Sequence, residues 1–259
     1  MSGTAGAALV TGAARRIGRA LALDLAAHGY DVAVHYRRSA EEAQAVVAAI
    51  EAQGRRAVAF AADLADEAET ARLIGAAATA LGPITLLVNN AAIFDYDRPE
   101  TADAARWQRH MAINLRAPLV LTQALLAGLP EDGEANVVNM IDERVLNLTP
   151  HYTSYTVSKA GLWVLTQHLA RALAPRVRVN AIAPGPVLPH GSMSQASFAA
   201  LSRAAPLGRG PGLDEICRTL RLILSAPSMT GQMIALDGGR HLGWLVPQEA
   251  VPHDPAASA

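Results

Sequence analysis

The amino-acid sequence predicts an α/β fold, in which a seven-stranded parallel sheet is flanked by helices on both faces. Short apolar runs alternate along the chain with longer segments whose apolar residues recur at helical spacing. The run at residues 84–88 is almost entirely apolar, which is typical of a parallel strand covered on both faces. Helical segments between successive strands favour right-handed crossovers, and such crossovers produce a parallel sheet.

The predicted elements alternate in order from the N-terminus. The first strand, residues 7–11, ends in a glycine turn, and the helix at 16–28 stops at a glycine. A second strand at 31–36 is followed by a helix that Ser39 opens, with Glu42 completing a predicted capping box. The later predicted strands are 56–61, 84–88, 136–141, 177–182 and 233–236, and the later predicted helices are 66–81, 101–126, 152–173 and 213–224.

Two segments show neither the spacing of apolar residues that is typical of a helix nor the apolar run that is typical of a buried strand. Residues 184–211 are rich in Pro, Gly and Ser and are predicted to form an irregular, mobile lid. Residues 247–259 are rich in Pro and Ala and are predicted to be a flexible tail. Residues 1–246 are expected to form a single domain, because no linker or internal repeat divides them.

Composition narrows the classes of function. The chain has 259 residues, of which 51% are hydrophobic and 17% charged, so one domain can bury a large core. Its net charge of −1 supplies no long-range field for nucleic acid or an anionic membrane. No long apolar run indicates a membrane span, and the N-terminus does not resemble a signal peptide. Cys217 is the only cysteine, which excludes an intrachain disulfide and favours a reducing, cytoplasmic compartment.

A glycine-rich turn joins the first strand to the first helix and predicts a dinucleotide site. Gly12 and Gly18 allow the backbone to approach a pyrophosphate, which would rest on the helix N-terminus. Arg16 stands where such motifs have their middle glycine. Either the loss of that glycine is simply tolerated, or Arg16 reaches over the diphosphate and adds positive charge there.

The end of the second strand predicts which dinucleotide binds. An acidic residue here usually binds the ribose 2′-hydroxyl of NAD, whereas this chain has His35, Tyr36, Arg37, Arg38 and Ser39. Two arginines, a serine and a helix N-terminus suit a 2′-phosphate, so we expect NADPH. The alternative is that both arginines are solvated surface charges.

Two more positions follow strands at the same predicted edge of the sheet. Asp63 follows the third strand, where the adenine should lie. Asn90 and Ala91 follow the fourth strand, where the backbone should approach the cofactor ribose. All three residues also suit a simple helix cap or turn.

Tyr155 and Lys159 stand four residues apart and therefore share one face of a predicted helix. The ammonium of Lys159 is expected to favour the phenolate of Tyr155 and to make it a usable proton carrier near neutral pH. Asp142 stands thirteen residues before the tyrosine. Because an ionised carboxylate would repel a developing oxyanion, we expect a substrate that a carboxyl group helps to protonate, such as a ring nitrogen.

Together these motifs resemble the short-chain dehydrogenase/reductase family over nearly the whole chain. The resemblance rests on residues 11–18, Asp63, 90–92, Asn114, Tyr155, Lys159, 184–185 and 237–239. It implies a Rossmann fold, NADP(H) as the cofactor and catalysis by Asp142, Tyr155, Lys159 and Asn114. The cofactor-binding residues that it implies are Gly12, Arg16, Ile17, Gly18, His35, Tyr36, Arg37, Arg38, Ser39, Asp63, Leu64, Asn90, Ala91, Met140, Tyr155, Lys159, Pro184 and Gly185.

Within that family the chain is most similar to the pteridine reductases and the dihydromonapterin reductases. The match rests on Arg16, on the stretch 35–39, on Phe94, and on Asp142 where carbonyl reductases of the family have serine. It implies that Arg16 touches phosphate and pterin, that Phe94 stacks on the pterin, and that Asp142 works with the catalytic tyrosine in protonation. The substrate-binding residues so implied are Arg16, Phe94, Asp142 and Tyr155. Ala92 departs from the serine that pteridine reductases often carry near the phosphate.

The assignments have structural alternatives. Asp142 would also suit a cap on the turn after the fifth strand or an ion pair with Arg144. Phe94 would also suit the core of a loop. Asn114, expected to support a proton relay, would also kink its helix. None of the eight histidines has metal-ligand spacing, so all are assigned to structure or surface and no metal is expected.

Three functions compete. The leading interpretation is an NADPH-dependent reductase that converts a dihydropterin or dihydrofolate to its tetrahydro form. The second is a carbonyl reductase of the same family, acting on a 3-oxoacyl thioester, a sugar or a quinone. The third is a non-catalytic NADPH-binding regulator, against which the joint presence of Tyr155, Lys159 and Asn114 argues.

The resemblance also implies a homotetramer built from the helices at 101–126 and 152–173. The apolar face around Leu162, Leu165 and Leu169 fits such an interface, although packing within one chain would give the same pattern. His241, Leu242 and Trp244 are expected to lie near a neighbouring subunit.

Overall fold

The computed structural model describes residues 5–191 and 193–243, in which strands and helices alternate. The strands are β1 (Gly6–Val10), β2 (Tyr30–Tyr36), β3 (Ala57–Ala61), β4 (Ile84–Asn89), β5 (Ala135–Met140), β6 (Val177–Pro184) and β7 (Met233–Leu236). The α-helices are α1 (Arg16–Ala27), α2 (Ala40–Glu51), α3 (Glu67–Leu81), α4 (Ala104–His110), α5 (Ala117–Gly128), α6 (Thr153–Leu173), α7 (Gln195–Arg203) and α8 (Leu213–Ser225). The predicted tail at 247–259 and Trp244 lie outside the described residues.

All seven strands of the described residues pair in parallel in one sheet, in the order β3-β2-β1-β4-β5-β6-β7. The strand order reverses between β1 and β4, which lie side by side with Val10 opposite Val88. The predicted α/β fold with its parallel sheet is confirmed. A reversal point of this kind opens a crevice at the carboxyl ends of the strands.

Two apolar layers hold the helices on the sheet. On one face Leu21, Ile50 and Leu220, from α1, α2 and α8, are completely buried against the strands. On the other face Leu121 and Leu125 of α5 pack with α3 and the opposite side of the strands. Full burial of one such side chain contributes about 1.5–3 kcal/mol to the free energy of unfolding.

The helical region predicted at 101–126 runs without a break from Ala104 to Gly128, but it is not α-helical throughout. A π-helical segment, Met111–Arg116, separates α4 from α5. Asn114 lies inside it and uses its side chain to bond Ile93 and Ser158 on other elements. The widened turn aims the amide of Asn114 at those partners, as π-bulges often do at functional sites. Periodicity does not reveal such a segment, because one widened turn barely shifts the apolar positions.

The capping box predicted for α2 is absent. The Ser39 hydroxyl accepts no hydrogen bond from the first turn of the helix, and Ser39 has φ −92° and ψ 62°. The carboxylate of Glu42 lies 3.5 Å from the Arg15 guanidinium instead of reaching back to the N-cap. Glu41 and Glu42 still favour the helix start, since negative charge near the N-terminus suits the helix dipole.

The segment predicted to be irregular, 184–211, contains the helix α7. Ser194 caps this helix, because its hydroxyl oxygen accepts a hydrogen bond from the Ser197 N–H at 3.1 Å. Serine is a favoured N-cap residue, so Ser194 could have indicated the start of α7. The helix is not predicted because the residues on either side of it are rich in Pro and Gly.

Helix α6 begins at a buried junction with the loop that follows β4. Asp97 is fully buried, and its carboxylate accepts hydrogen bonds from the Ser154 N–H at 3.2 and 3.3 Å and from the Ser154 hydroxyl. The Tyr152 N–H donates to the backbone oxygen of Asp97 at 2.7 Å, and Tyr152 itself has a left-handed φ of 60°. A loop distant in sequence thus caps the helix that carries Tyr155 and Lys159.

One helical run of the described residues, Ala104–Gly128, is long and apolar enough to cross a membrane by length and composition alone. In the structure this run includes the π-helical segment, and α5 buries Ala117, Val120 and Leu121 against α3 and the sheet. The core helix of a folded domain passes the same test of length and composition.

Candidate active site

A cleft of about 480 Å³ lies at the carboxyl ends of β1, β2 and β4, where the strand order reverses. The predicted cofactor-binding residues that line it are Gly12, Arg16, Ile17, Gly18, His35, Tyr36, Arg37, Arg38, Ser39, Asp63, Leu64, Asn90 and Ala91. The other predicted cofactor-binding residues, which are not part of its lining, are Met140, Tyr155, Lys159, Pro184 and Gly185.

The glycine-rich turn is closely packed at Gly12 and Gly18. Gly12 has a left-handed φ of 64°, and a Cβ on Gly18 would collide with the Gly12 carbonyl oxygen. Asn90 donates from its side chain to the Thr11 carbonyl oxygen at 2.8 Å, and its own N–H donates to the Thr11 hydroxyl at 2.9 Å. The amide of Asn90 therefore joins the ends of β1 and β4, and the backbone of the turn is left facing the cleft.

Arg16 adopts a left-handed conformation, φ 54°, that favours glycine. Its guanidinium donates to the carbonyl oxygens of Pro189 at 2.6 Å and Leu188 at 3.2 Å. These bonds join the glycine-rich turn to the loop after β6. In the structure Arg16 thus lines the cleft and bridges it to the predicted lid.

His35 is buried and supports the turn from beneath. The Gly12 N–H donates to its Nδ1 at 3.0 Å, so Nε2 carries the proton and donates to the Ala62 carbonyl oxygen at 3.1 Å. Burial lowers the pKa of His35, which keeps this tautomer neutral. The imidazole ties β1 to the end of β3.

Arg37 and Arg38 are exposed at one end of the cleft, next to Ser39 at the start of α2. The Arg37 guanidinium lies 4.0 Å from the Asp63 carboxylate, and Arg38 forms no ion pair among the described residues. Two cations and a helix N-terminus suit an anion. Together with the backbone cradle of the turn, these residues fit a dinucleotide that carries an additional phosphate.

The Tyr155 hydroxyl donates to Asp142 Oδ2 at 2.8 Å. The other carboxylate oxygen, Oδ1, accepts from the Arg144 N–H at 2.9 Å. Asp142 therefore caps the turn after β5 and contacts the phenol at the same time. The two readings that the sequence left open, a structural cap and a partner of Tyr155, are compatible. The ion pair between Asp142 and the Arg144 guanidinium is not among the contacts of the described residues.

Lys159 is buried, and its ammonium donates to the Met140 carbonyl oxygen at 2.6 Å. Burial lowers the pKa of Lys159 to about 8. Burial, and after it the charge of Asp142, raises the pKa of the Tyr155 phenol well above its usual value. The Lys159 ammonium lies 5.9 Å from the Tyr155 ring centroid. The expectation that it favours the phenolate stays a prediction, and the Asp142 carboxylate, which bonds the phenol, opposes that effect. The site holds Tyr155 as a protonated donor.

Asn114 is fully buried and makes three hydrogen bonds with its side chain. Its oxygen accepts from the Ile93 N–H at 2.9 Å, and its nitrogen donates to the Ile93 carbonyl oxygen at 3.1 Å and to the Ser158 hydroxyl at 3.0 Å. Ser158 lies on α6 next to Lys159. Asn114 thus fixes the loop after β4 to the catalytic helix, and its part in a proton relay stays a prediction.

Phe94 lies in a cluster of aromatic and cationic side chains. Its ring stacks on Tyr152 at 4.2 Å between centroids and meets Tyr155 edge-on at 4.5 Å and His190 edge-on at 5.0 Å. The Arg144 guanidinium lies 4.9 Å from the Tyr152 ring centroid and 5.7 Å from that of Phe94. Phe94 is half buried beside the Tyr155–Asp142 pair, and its stacking on a substrate stays a prediction.

The family model for short chain dehydrogenases matches residues 6–200. The chain belongs to the short-chain dehydrogenase family. The family resemblance read from the motifs is therefore confirmed, and the strands and helices that carry the cleft and Tyr155 all fall within the matched residues.

Solved structures similar to this short-chain dehydrogenase include two from Brucella. FolM alternative dihydrofolate reductase 1 from Brucella canis, complexed with NADP, is 47% identical with a TM-score of 0.91 over 95% of this chain and 98% of that one. The protein of the same name from Brucella suis, also with NADP, is 47% identical with a TM-score of 0.90 over 95% and 99%. The 3-oxoacyl-[acyl-carrier-protein] reductase of Synechocystis sp. is 34% identical over 91% of this chain and 97% of its own length.

Sequence reasoning missed three residues of this short-chain dehydrogenase that lie around Phe94. From the sequence, Tyr152 is predicted only to start a helix, Arg144 only to be an alternative partner of Asp142, and His190 only to be a surface or structural residue. Tyr152 is aromatic and Arg144 is basic, and both are close to Asp142 in sequence. These properties could have indicated that both residues contribute to the site around Asp142. His190 carried no such signal, because it comes from the loop after β6.

Pro184 is the last residue of β6, where it pairs with Leu236 of β7, and Gly185 follows it. The Gly185 N–H donates to the Leu236 carbonyl oxygen at 2.8 Å, and a Cβ on Gly185 would come within 2.9 Å of Asp237. The glycine therefore allows the loop toward α7 to leave the sheet close to Asp237.

Within residues 5–191 and 193–243, no three His, Cys, Asp or Glu side chains are grouped so as to hold a metal ion.

Proposed function

We propose that this short-chain dehydrogenase is an NADPH-dependent reductase of a pterin, converting a dihydropterin or dihydrofolate to its tetrahydro form. The observation that carries the proposal is the hydrogen bond between Tyr155 and Asp142. A carboxyl group beside the phenol disfavours a developing oxyanion and suits protonation of a ring nitrogen.

The cleft supports NADPH as the cofactor, which supplies the hydride when bound. The backbone around Gly12 and Gly18 can approach a diphosphate, while Arg37, Arg38 and Ser39 can meet a 2′-phosphate. Lys159 has donors left beyond its bond to Met140 for a ribose hydroxyl, because an ammonium carries three. The NADP in the Brucella structures supports the same cofactor here.

The proton comes from the Tyr155–Asp142 pair. Because Tyr155 donates to Asp142, one oxygen of each group shares the same proton. When the carboxyl group also carries a proton, the pair can give one to a substrate nitrogen and keep the other. The Arg144 N–H holds Asp142 in place during that transfer.

The aromatic cluster supports a flat heterocyclic substrate. Phe94 and Tyr152 stack almost in parallel, with 9° between their planes, and the edge of Tyr155 meets Phe94. Aromatic faces bind flat heterocycles well, and amino and N–H groups of a pterin can donate to a carboxylate such as Asp142. The 47% identity with the Brucella dihydrofolate reductases adds support from outside the site.

Oxidation of NADPH in the presence of dihydrobiopterin, dihydromonapterin or dihydrofolate tests the proposal. We expect turnover of at least one of them, and its loss in Tyr155→Phe, which removes the donor hydroxyl. If none of the three is turned over, the pterin assignment fails.

A carbonyl reductase is the second candidate, favoured by the similarity to the Synechocystis 3-oxoacyl reductase. It predicts turnover of a 3-oxoacyl thioester that Asp142→Ser maintains or improves. Binding of NADPH without turnover of any of these substrates would instead favour the non-catalytic regulator.

A further inference from the structure

Glu143 follows Asp142 directly, yet its side chain turns into the protein and is only 6% exposed. Its Oε1 accepts from Arg240 Nε at 3.2 Å, whereas its buried Oε2 accepts no hydrogen bond from the described residues. Burial, and after it the charge of Asp142, raises the pKa of Glu143, while Arg240 opposes the rise. A buried carboxylate in which only one oxygen accepts a hydrogen bond depends on the cation that donates it, here Arg240.

Arg240 connects three parts of the chain that are far apart in sequence. Its Nη1 donates to the Leu201 carbonyl oxygen in α7 at 3.2 Å, and its own carbonyl oxygen accepts from the Asn147 side chain at 3.0 Å. It opens the short 3₁₀ helix Arg240–Leu242, which follows β7. The guanidinium therefore spans the turn after Asp142 and the helix of the segment predicted to be a lid.

We propose that Arg240 and Glu143 are positioning residues, whose ion pair fixes the turn that carries Asp142 against helix α7. The pair also places a compensated carboxylate beside the Tyr155–Asp142 contact. This inference rests on proton transfer by that contact in the proposed function, and it is independent of which substrate is reduced.

The charged and titratable groups that face Glu143 are Asp142 and Arg144 from its own turn, Arg240 from the 3₁₀ helix and the Tyr155 phenol from α6. Glu143 is one of the negative charges that raise the pKa of Tyr155, after burial and Asp142. Removing its charge should let the phenol lose its proton at a lower pH. The activity that needs this proton should then fall at a lower pH.

The first experiment is the pH profile of kcat for the wild type and Glu143→Gln, with whichever pterin or 3-oxoacyl substrate the wild type turns over. Glutamine keeps an acceptor for Arg240 and removes the charge. We expect the alkaline limb of the profile to move to lower pH by about 0.5–1 unit. An alkaline limb that superimposes on that of the wild type would overturn the charge part of the proposal.

The second experiment needs neither substrate nor cofactor. Amide hydrogen exchange of the full chain is compared for the wild type, Arg240→Gln, Arg240→Lys and the matched control Arg203→Gln, an exposed arginine on α7. We expect Arg240→Gln to raise exchange roughly threefold or more in residues 143–147 and 195–203 together. Lysine keeps the positive charge, but it has a single side-chain nitrogen and cannot donate to Glu143 and to the Leu201 carbonyl oxygen from separate nitrogens. Exchange in Arg240→Lys should therefore lie between that of the wild type and that of Arg240→Gln.

Unchanged exchange at 195–203 in Arg240→Gln, or an equal rise in Arg203→Gln, would overturn the link between the two segments. Failure of the proposed function gives a different result. In that case no substrate is turned over, while the exchange pattern still decides whether Arg240 joins the turn to α7.

Discussion

Asp142 combines two contacts that a serine could only partly reproduce. Its Oδ1 accepts a hydrogen bond from the Arg144 N–H and so caps the following turn, and its Oδ2 accepts a hydrogen bond from the Tyr155 hydroxyl. A serine hydroxyl can accept from that N–H, but it neither carries negative charge nor stores a second proton. A substitution of Asp142 by serine can therefore change catalysis while leaving the stability of the fold nearly unchanged.

Asp142→Ser is expected to lower kcat/KM for a dihydropterin by about 100-fold or more, the usual range for loss of a general acid. The thermal midpoint should change little, because the serine can still cap the turn. Steady-state kinetics and thermal denaturation measure both quantities. Asp132→Ser, at an exposed position before β5, is the matched control. Undiminished pterin reduction in Asp142→Ser would contradict the role of the carboxyl group.

Lys159 is a buried cation whose pKa is lowered from 10.5 to about 8. Between those two values the unfolded chain binds more protons at this site than the folded chain, so the free energy of unfolding should rise with pH. From pH 7 to about pH 9.5 the gain attributable to Lys159 is about 2 kcal/mol.

Lys159→Met is expected to lose activity. Its free energy of unfolding should also lack the rise between pH 7 and about pH 9.5 that is attributed to Lys159. Urea denaturation of both proteins at the two pH values gives the difference, and other ionisable groups cancel in the comparison. An equal pH dependence in the wild type and the variant would contradict the burial of a charged Lys159.

At the scale of single elements, helix α6 depends on a residue outside itself. The carboxylate of Asp97, in a loop that also carries Phe94, accepts hydrogen bonds from the Ser154 N–H in the first turn of the helix. Because Tyr155 lies in the first turn of α6, the cap sets the height of the phenol relative to the aromatic cluster. The same loop is fixed a second time by Asn114 through Ile93.

Asp97→Ala is expected to cost about 1–3 kcal/mol, since it leaves buried donors of Ser154 without a partner. The thermal midpoint should fall by about 2–4 °C for each kcal/mol, and kcat should fall with it. Asp97→Asn, which keeps an acceptor, should recover part of both.

Asp103→Ala is the matched control, because Asp103 caps α4 through the Arg106 N–H in the same way but away from Tyr155. It should lower the thermal midpoint, because the cap of α4 is lost, and leave kcat nearly unchanged. A fall in kcat as large as that of Asp97→Ala would show that the effect on activity comes from general destabilisation.

At the scale of the whole molecule, the cofactor cleft joins the two halves of the sheet. Its residues come mostly from the end of β2 and from the segments that follow β1, β2, β3 and β4, so ligand binding stabilises the folded chain as a unit. A ligand present at 100 times its Kd raises the free energy of unfolding by about 2.7 kcal/mol. The homotetramer and the cytoplasmic location expected from the sequence stay predictions.

The double variant Arg37→Glu with Arg38→Glu is expected to lose most of the thermal stabilisation by NADPH and to keep that by NADH, because only NADPH carries the 2′-phosphate. Thermal denaturation with each dinucleotide measures both. Arg171→Glu, an exposed arginine at the end of α6, should leave both shifts unchanged. Equal losses for NADPH and NADH would contradict a 2′-phosphate site at these arginines.

Much of the fold and the site is encoded in local sequence. Apolar runs such as 84–88 identify strands because both faces of a parallel sheet are buried, and Gly12 and Gly18 mark a turn that only a close backbone approach requires. The spacing of Tyr155 and Lys159 places both on one helix face. These properties depend on residues that are neighbours in sequence, so the pattern alone determines them.

The tertiary structure decided the properties that depend on distant partners. Only the packed chain shows that Lys159 bonds Met140, and that burial, with the charge of Asp142 after it, raises the pKa of the Tyr155 phenol. The π-helical turn at Asn114 and the link through Arg240 likewise arise from contacts between remote segments. Burial and the nearest charge set these properties, and both are fixed only when the helices and loops meet around the sheet.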